Sequence, residues 1–218
     1  MKENQIHEVI EKLKSAAESW NVPIVTDISR QRRDPFKVLI GTVLSLRTKD
    51  ETTARAVERL FKLAETPAQM LQLSAELIAK AIYPVGFYKT KAANILRICS
   101  QLVEKHDGIV PDEIDELLTF QGVGRKTANL VVTLGYGKPG ICVDTHVHRI
   151  SNRLGYVKTK SPEKTEFALR KRLPSQYWII YNDLLVAFGQ NLCKPISPFC
   201  SRCPLSHLCE RVGVNRFR

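Results

Sequence analysis

Four of the six cysteines lie close together near the C-terminal end of the sequence, at Cys193, Cys200, Cys203 and Cys209. Thiolates this close repel one another, and they are buried poorly unless a cation neutralises them, so the array predicts a metal site. Zinc sites usually combine two C-x-x-C pairs, whereas this array has a single pair. An iron–sulfur cluster takes its thiolates from a loop that surrounds it. We therefore favour a cluster over zinc, and either of them over free thiols.

A glycine-rich turn followed by basic residues forms a second candidate site: Gly122, Val123, Gly124, Arg125, Lys126, Thr127 and Ala128. Two glycines around one apolar residue allow a tight turn with positive φ and let a ligand approach the backbone closely. The amides of the turn and of the helix after it predict phosphate binding. Lys126, in the first turn of that helix, is either a phosphate contact or, if its amine is unprotonated, a nucleophile.

Asp144 is the carboxylate that such a lysine would need. It lies in an otherwise basic segment that also contains His146, His148 and Arg149. Asp144 is a good helix N-cap residue, so a structural role is expected as well. The two histidines lack a third ligand nearby, and we expect polar packing from them rather than metal binding.

The net charge favours a nucleic-acid partner. The chain has 218 residues with 33 Lys and Arg against 22 Asp and Glu, a formal charge of +11, and basic surfaces neutralise phosphates. No uncharged stretch approaches the roughly 20 residues that span a bilayer. The N-terminal segment lacks the apolar core of a signal peptide. These features predict an intracellular protein, cytoplasmic and nucleoid-associated in a prokaryote, with no membrane partner, and we expect a monomer.

Helix signals recur along the whole sequence, and strand signals are nearly absent. Asp34 before Pro35 predicts an N-cap and a first helical residue, and the apolar run behind them predicts a buried helix. Capping boxes are predicted at Thr48 and Thr66. Further starts are predicted at Ser74, Thr90, Pro111 and Ser161. We therefore expect an all-α fold of about ten short helices, with Cys99 and Cys142 as buried apolar residues.

These motifs together resemble the endonuclease III family of helix-hairpin-helix DNA glycosylases. The glycine turn with Lys126, the Asp144 segment and the cysteine array occur in the family's order, and the resemblance extends from Pro35 to Cys209. It implies an all-α, two-lobed fold. Residues 28–138 would form a six-helix barrel domain with the helix-hairpin-helix, and residues 1–27 and 139–218 a helical domain whose cysteine loop holds a [4Fe-4S] cluster. Both lobes carry net positive charge.

The resemblance also implies an activity. Lys126 would be the catalytic lysine and Asp144 the catalytic aspartate of a bifunctional DNA glycosylase and AP lyase of base excision repair. Such an enzyme flips an oxidised pyrimidine out of double-stranded DNA, removes it through a Schiff base and cleaves the strand 3′ to the site by β-elimination. Adenine glycosylases of this fold carry a glutamate where this chain has Thr42. They and the mismatch thymine glycosylases lack the lysine.

Further DNA contacts follow from the same resemblance. Arg47 replaces the glutamine that fills the space of the flipped nucleotide. Arginine donates hydrogen bonds but accepts none, so the family's opposing-base preference does not carry over to this chain. Phe87 matches the apolar wedge residue. Lys194 and Arg202 are expected to reach phosphates. Two other interpretations stay open: a non-catalytic helix-hairpin-helix DNA-binding protein with a structural or redox-sensing cluster, and a zinc-dependent nucleic-acid protein.

Overall fold

The computed structural model describes residues 4–18, 20 and 34–218, and within them the chain is all-helical, without a strand. One π-helix and two short 3₁₀ helices accompany the α-helices. In chain order the elements are α1 (Gln5–Ala17), α2 (Pro35–Ser45), α3 (Asp50–Leu63), α4 (Pro67–Met70), α5 (Ala75–Ile82), α6 (Tyr88–His106), α7 (Ile114–Leu117), α8 (Arg125–Leu130), the π-helix (Val131–Gly135), α9 (Thr145–Arg153), α10 (Pro162–Arg172), a 3₁₀ helix (Ser175–Tyr177), α11 (Trp178–Asn191) and a 3₁₀ helix (Cys200–Arg202). Among the helices described, none is both long enough and apolar enough to cross a membrane.

Side-chain caps start several helices where the sequence predicted them. Asp34 Oδ1 accepts hydrogen bonds from the amides of Phe36 and Lys37, at 3.0 and 3.1 Å. Thr66 and Gln69 form a complete capping box. The Ser74 and Ser161 hydroxyls accept from the amides three residues later, at 3.1 and 3.3 Å. Each cap satisfies an amide that the first helical turn leaves without an internal partner.

Three predicted helix starts differ from the structure. The capping box at Thr48 is wrong: α3 begins at Asp50 with Lys49 as its N-cap and no side-chain cap bond, because the Thr48 hydroxyl accepts a bond from the Gly86 amide at 3.2 Å. Helix α6 starts at Tyr88, ahead of the predicted Thr90, because the left-handed Phe87 ends the preceding loop. Helix α7 starts at Ile114, after the predicted Pro111, with Glu113 as its N-cap.

The described chain divides into two compact units. We call residues 34–138 the hairpin unit, and residues 4–18, 20 and 139–218 the cysteine unit. In the hairpin unit α2 packs against α3, α8 and the π-helix, and α6 packs against α4 and α5. In the cysteine unit α11 is central and packs against α1 and α9. The domain boundary expected at residues 27 and 28 lies outside the described residues.

The start of α2 lies against the end of the π-helix, where Pro35 contacts Gly135. A Cβ at Gly135 would lie 2.9 Å from Pro35 Cα, which is closer than side-chain carbons approach a backbone. The Thr133 hydroxyl donates to the Asn129 carbonyl at 2.8 Å. The helix that begins at Arg125 is thus held against α2 at its far end, so the direction of its first turn is fixed by the core of the hairpin unit.

Candidate functional site: the hairpin, the cysteine loop and the loop pair

The glycine turn joins α7 to α8, and its two glycines have different roles. Gly122 has φ +82°, in the left-handed region, and a Cβ there would lie 2.9 Å from Asn94 Nδ2. Gly124 is the N-cap of α8 with φ −101°, and a Cβ there would meet nothing within 4 Å. Positive φ was expected of the turn, and of its two glycines Gly122 adopts it. Gly124 instead leaves open space above the first amides of α8.

Lys126 is the second residue of α8 and is half-buried, as is Arg125 before it. Thr127 is 1% exposed and Val123 6% exposed, so their side chains belong to the core. Any contact of these two residues with DNA would therefore pass through the backbone. The Val123 amide donates to the Phe120 carbonyl at 3.0 Å, which closes the turn immediately before α8.

Asp144 is the N-cap of α9, as its position in the sequence predicted. Its Oδ1 accepts from the amides of His146 and Val147, at 2.8 and 2.9 Å, and Oδ2 lies outside these two bonds. The carboxylate is half-buried and held in one orientation by the helix it caps. Lys126 belongs to the hairpin unit and Asp144 to the cysteine unit, so their pairing remains a prediction.

The two histidines of α9 make the polar contacts expected of them. His146 Nδ1 accepts from Arg149 Nη2 at 3.1 Å. His148 Nδ1 and the Thr165 hydroxyl are 2.7 Å apart, and burial lowers the pKa of His148. Neither histidine belongs to a metal-binding group among the described residues.

The side chains of the four clustered cysteines line one pocket of the cysteine unit. Burial, followed by repulsion between the sulfur atoms, raises the pKa of Cys203 to about 11 and also raises the pKa values of Cys200 and Cys209. Thiols with raised pKa values ionise readily only when a cation balances their charge. Within the described part of the chain, no three ligand side chains converge on a single metal position. Four cysteine side chains that line one pocket are the kind of ligand set that an iron–sulfur cluster takes from a protein.

Two arginines of α9, which no sequence pattern indicated, hold the cysteine loop. Arg149 Nη2 donates to the Cys193 carbonyl at 2.9 Å. Arg153 donates to the carbonyls of Lys194 and Pro195, at 2.7 and 2.6 Å, and its Nη1 lies 3.5 Å from Cys193 Sγ. The helix that Asp144 caps is thereby bonded to the loop that carries the first cysteine.

The predicted phosphate contacts of this loop are exposed and lie around one aromatic ring. Lys194 Nζ is 5.7 Å, and the Arg202 guanidinium carbon 4.2 Å, from the centre of the Phe199 ring. Arg218 adds a third cation at 4.1 Å. Stacking on the ring orders side chains that would otherwise sample many conformations.

Arg47 and Phe87 are forty residues apart in the sequence, yet the structure brings them together on the hairpin unit. The Arg47 guanidinium carbon lies 5.7 Å from the centre of the Phe87 ring. Both residues have positive φ, 55° and 58°, and Phe87 is 63% exposed. An exposed aromatic ring stacked on a cation suits insertion into a base stack.

Lys91, which the sequence analysis did not single out, lies beneath this pair. It is 7% exposed, and its Nζ donates to the carbonyls of Leu44 and Leu46, at 2.8 and 2.6 Å. Its spacing from Ile95 and Ile98 places it on the apolar face of α6, and a lysine on such a face was the available signal.

The adenine-glycosylase alternative finds no support at Thr42. That residue is fully buried, and its hydroxyl donates to the Val38 carbonyl at 2.7 Å. Cys99 and Cys142 are buried as predicted, and burial raises the pKa of Cys99 to about 12.

Comparison with known proteins agrees with these features. The family model of HhH-GPD superfamily base excision DNA repair proteins matches residues 40–175. Endonuclease III of Thermotoga maritima is 50% identical over 182 residues, covering 84% of this chain and 85% of that protein. Endonuclease III of Escherichia coli is 38% identical over 176 residues, covering 81% and 83%. A solved structure of a trapped endonuclease III–DNA covalent intermediate, an estranged-adenine complex, matches with a TM-score of 0.86 at 36% identity and covers 97% of both chains.

The resemblance inferred from the motifs and the all-helical fold class are both confirmed. Relatives solved in complex with DNA establish a DNA-binding family. The chain therefore belongs to the endonuclease III family of helix-hairpin-helix DNA glycosylases, the bifunctional glycosylases and AP lyases of base excision repair.

Proposed function

We propose that this glycosylase and lyase removes oxidised pyrimidines from double-stranded DNA, with Lys126 as its nucleophile. The observation that carries the proposal is the position of Lys126 in the first turn of α8, directly after the open turn at Gly124. Backbone amides there can hold a phosphate of the damaged strand, and the lysine amine follows within one helical turn of them. A DNA-binding module has no need of a nucleophile at this position.

The proposed reaction proceeds in two stages. The neutral amine of Lys126 attacks C1′ of the deoxyribose, forming a C–N bond as the glycosidic bond breaks, and the base leaves with the bonding electrons and takes up a proton. Ring opening gives a protonated Schiff base. Removal of a C2′ proton then expels the 3′ phosphate by β-elimination, which cleaves the strand 3′ to the lesion. Asp144 stabilises the positive charge that develops on the sugar during the first stage.

The duplex-binding surface would comprise the hairpin and the exposed pair. The amides after Gly124 and the Arg125 side chain bind phosphates, Arg47 fills the space left by the flipped nucleotide, and Phe87 enters the stack as a wedge. Lys194 and Arg202 bind the backbone from the cysteine unit. In this proposal one chain acts on one lesion in cellular DNA.

We also propose that Cys193, Cys200, Cys203 and Cys209 hold a [4Fe-4S] cluster. The four side chains line one pocket, which supports a single shared occupant, and the family implied by the sequence motifs takes four thiolates to such a cluster. When bound, the cluster neutralises the thiolates and fixes the loop that presents Lys194 and Arg202. A brown preparation with visible charge-transfer absorption supports this assignment, and a colourless protein with stoichiometric zinc contradicts it.

Borohydride trapping tests the nucleophile. The wild-type protein should form a reduced covalent complex with a duplex that contains an abasic site or thymine glycol, because borohydride reduces the Schiff base. Lys126→Gln should abolish trapping and retain binding to undamaged duplex. The matched control is Lys105→Gln, at an exposed position of α6, which should trap as the wild type does. Trapping that persists in Lys126→Gln refutes the assignment, and a wild type that binds but never traps supports the non-catalytic alternative.

A further inference from the structure

The contact between Arg47 and Phe87 depends on two unfavourable backbone conformations. Bulky residues with positive φ are uncommon, and when they occur together the surrounding structure must impose them. Arg47 follows the end of α2, and Phe87 immediately precedes α6. Neither segment is held by a side-chain cap of the kind found at Asp34 or Asp144.

Lys91 contacts both segments at once. Its side chain donates to the carbonyls of Leu44 and Leu46 at the end of α2, and its own amide donates to the Phe87 carbonyl at 2.9 Å. The same Nζ lies 3.3 Å from the Thr48 hydroxyl, which also accepts the Gly86 amide. Lys91 therefore contacts residues on either side of Arg47, and it is also bonded to Phe87, the proposed wedge residue.

The two segments also touch directly. A Cβ at Gly86 would lie 2.8 Å from the Arg47 carbonyl oxygen, so the loop before α6 can approach the loop after α2 only because residue 86 is glycine. The cation of Arg47 then rests against the Phe87 ring. Loops in such close contact move together if the bonds that join them hold.

Lys91 is a costly residue for this position if it serves stability alone. Burial lowers its pKa to about 8, and a glycine after the last turn would end α2 without burying a charge. The carbonyls at the C-terminal end of α2 partly offset that cost because they carry partial negative charge. A buried cation that links the segments carrying Arg47 and Phe87 is explained by the positioning of that pair.

We propose that Lys91 is a positioning residue that joins the segments 44–48 and 86–88 into one rigid body, so that Arg47 and Phe87 enter the duplex as a preassembled pair. This inference rests on the proposed function, because it needs a reaction that opens a base stack. Lys91 itself is buried and touches neither the DNA nor the reacting sugar.

Two abasic substrates test the inference. In the first the abasic site faces adenine in a full duplex, and in the second the opposing nucleotide is omitted, so the stack is already interrupted. Single-turnover trapping rates are compared for the wild type, Lys91→Met and the charge-matched control Lys105→Met. Lys91→Met should slow trapping on the full duplex about 10- to 100-fold, since small misplacements of positioning groups have effects of this size. The loss on the gapped duplex should be at least about tenfold smaller.

Two outcomes overturn the inference. Equal losses of trapping rate on the two substrates indicate a general structural defect. An unchanged trapping rate on the full duplex indicates that Lys91 has no role in trapping. Thr48→Val is the second variant. It removes one acceptor of the Lys91 network and keeps the side-chain volume, so it should show the same preference for the gapped duplex even if Lys91→Met does not fold. An equal effect of Thr48→Val on both substrates also counts against the inference. Failure of the wild type to trap on either substrate would instead refute the proposed function.

Discussion

Replacing either glycine of the hairpin by alanine should affect a different property, namely stability at Gly122 and DNA affinity at Gly124. Gly122 has φ +82°, and alanine in the left-handed region costs about 1–2 kcal/mol. The smaller entropy of the unfolded chain returns about 0.4–1 kcal/mol, and the Asn94 amide must also move away from the new Cβ. Gly122→Ala should therefore lower the free energy of unfolding by about 1 kcal/mol, a fall in Tm of about 2–4 °C for a chain of this size.

Gly124→Ala should leave stability nearly unchanged. Its φ of −101° suits any residue, and the new Cβ meets no atom within 4 Å. Alanine is a poorer N-cap than glycine, and that loss roughly cancels the gain from the stiffer unfolded chain, leaving a net change within about 0.5 kcal/mol. The methyl group occupies the open space over the first amides of α8. Affinity for an abasic duplex should therefore fall at least tenfold, or about 1.4 kcal/mol.

Thermal unfolding and a salt titration of DNA binding measure both effects. A backbone amide carries no charge, so Gly124→Ala should lower affinity at every salt concentration without changing the slope of log K against log salt. Arg125→Gln should reduce that slope by about one phosphate contact. If Gly124→Ala binds as tightly as the wild type at unchanged Tm, DNA does not occupy the space above Gly124. An unchanged Tm in Gly122→Ala would refute the reasoning from φ.

Three further outcomes are expected. Asp144→Asn keeps an oxygen that can cap α9, so the stability of this variant should stay within about 0.5 kcal/mol of the wild type, whereas Asp144→Ala should lose about 1 kcal/mol. Both variants should slow base release in single-turnover assays. Normal base release by Asp144→Asn would contradict the charge-stabilising role of Asp144. The pKa of Lys91 is about 8 in the folded protein against 10.5 in the unfolded chain, so the unfolded state binds more protons between these pH values. The stability of the wild type relative to Lys91→Met should therefore rise by up to about 3 kcal/mol as the pH increases through that range. A stability difference that stays constant with pH would count against the buried charge. Gly135→Ala should lower the free energy of unfolding, measured by chemical denaturation, by about 1–2 kcal/mol. Alanine is the better helix former, but its Cβ would meet Pro35. A variant more stable than the wild type would show that α2 can move away from the π-helix.

Local patterns predicted the parts of the fold that depend on neighbours in sequence. The caps at Asp34, Thr66 and Asp144 involve residues two or three positions away, so a side chain and its backbone partner meet as soon as the helix forms. The box at Thr48 failed because Gly86, 38 residues away, took the hydroxyl. Sequence spacing contains no information about such a tertiary competitor.

The candidate site likewise contains features that short sequence patterns predict and features that depend on tertiary packing. The order of the motifs placed Lys126 at the start of a helix and put the four cysteines in one loop, and both features follow from short segments. The pairing of Arg47 with Phe87 depends on how α2 and α6 pack, so no local pattern could predict it. Lys91 was visible as a charge on an apolar face, although its partners, two carbonyls at the end of another helix, have no sequence signature.

The cysteine unit is built from two segments that are separated in sequence by the hairpin unit, and this has a consequence for folding during synthesis. Four apolar residues of α1, namely Ile6, Val9, Ile10 and Leu13, share a core with Tyr181, Leu185 and Phe188 of α11. During synthesis α1 leaves the ribosome long before α11 exists, whereas the hairpin unit is contiguous and can fold as it emerges. The apolar face of α1 must therefore stay exposed, or be shielded by a chaperone, until α11 has been synthesised. From this connectivity we expect the hairpin unit to fold before the cysteine unit.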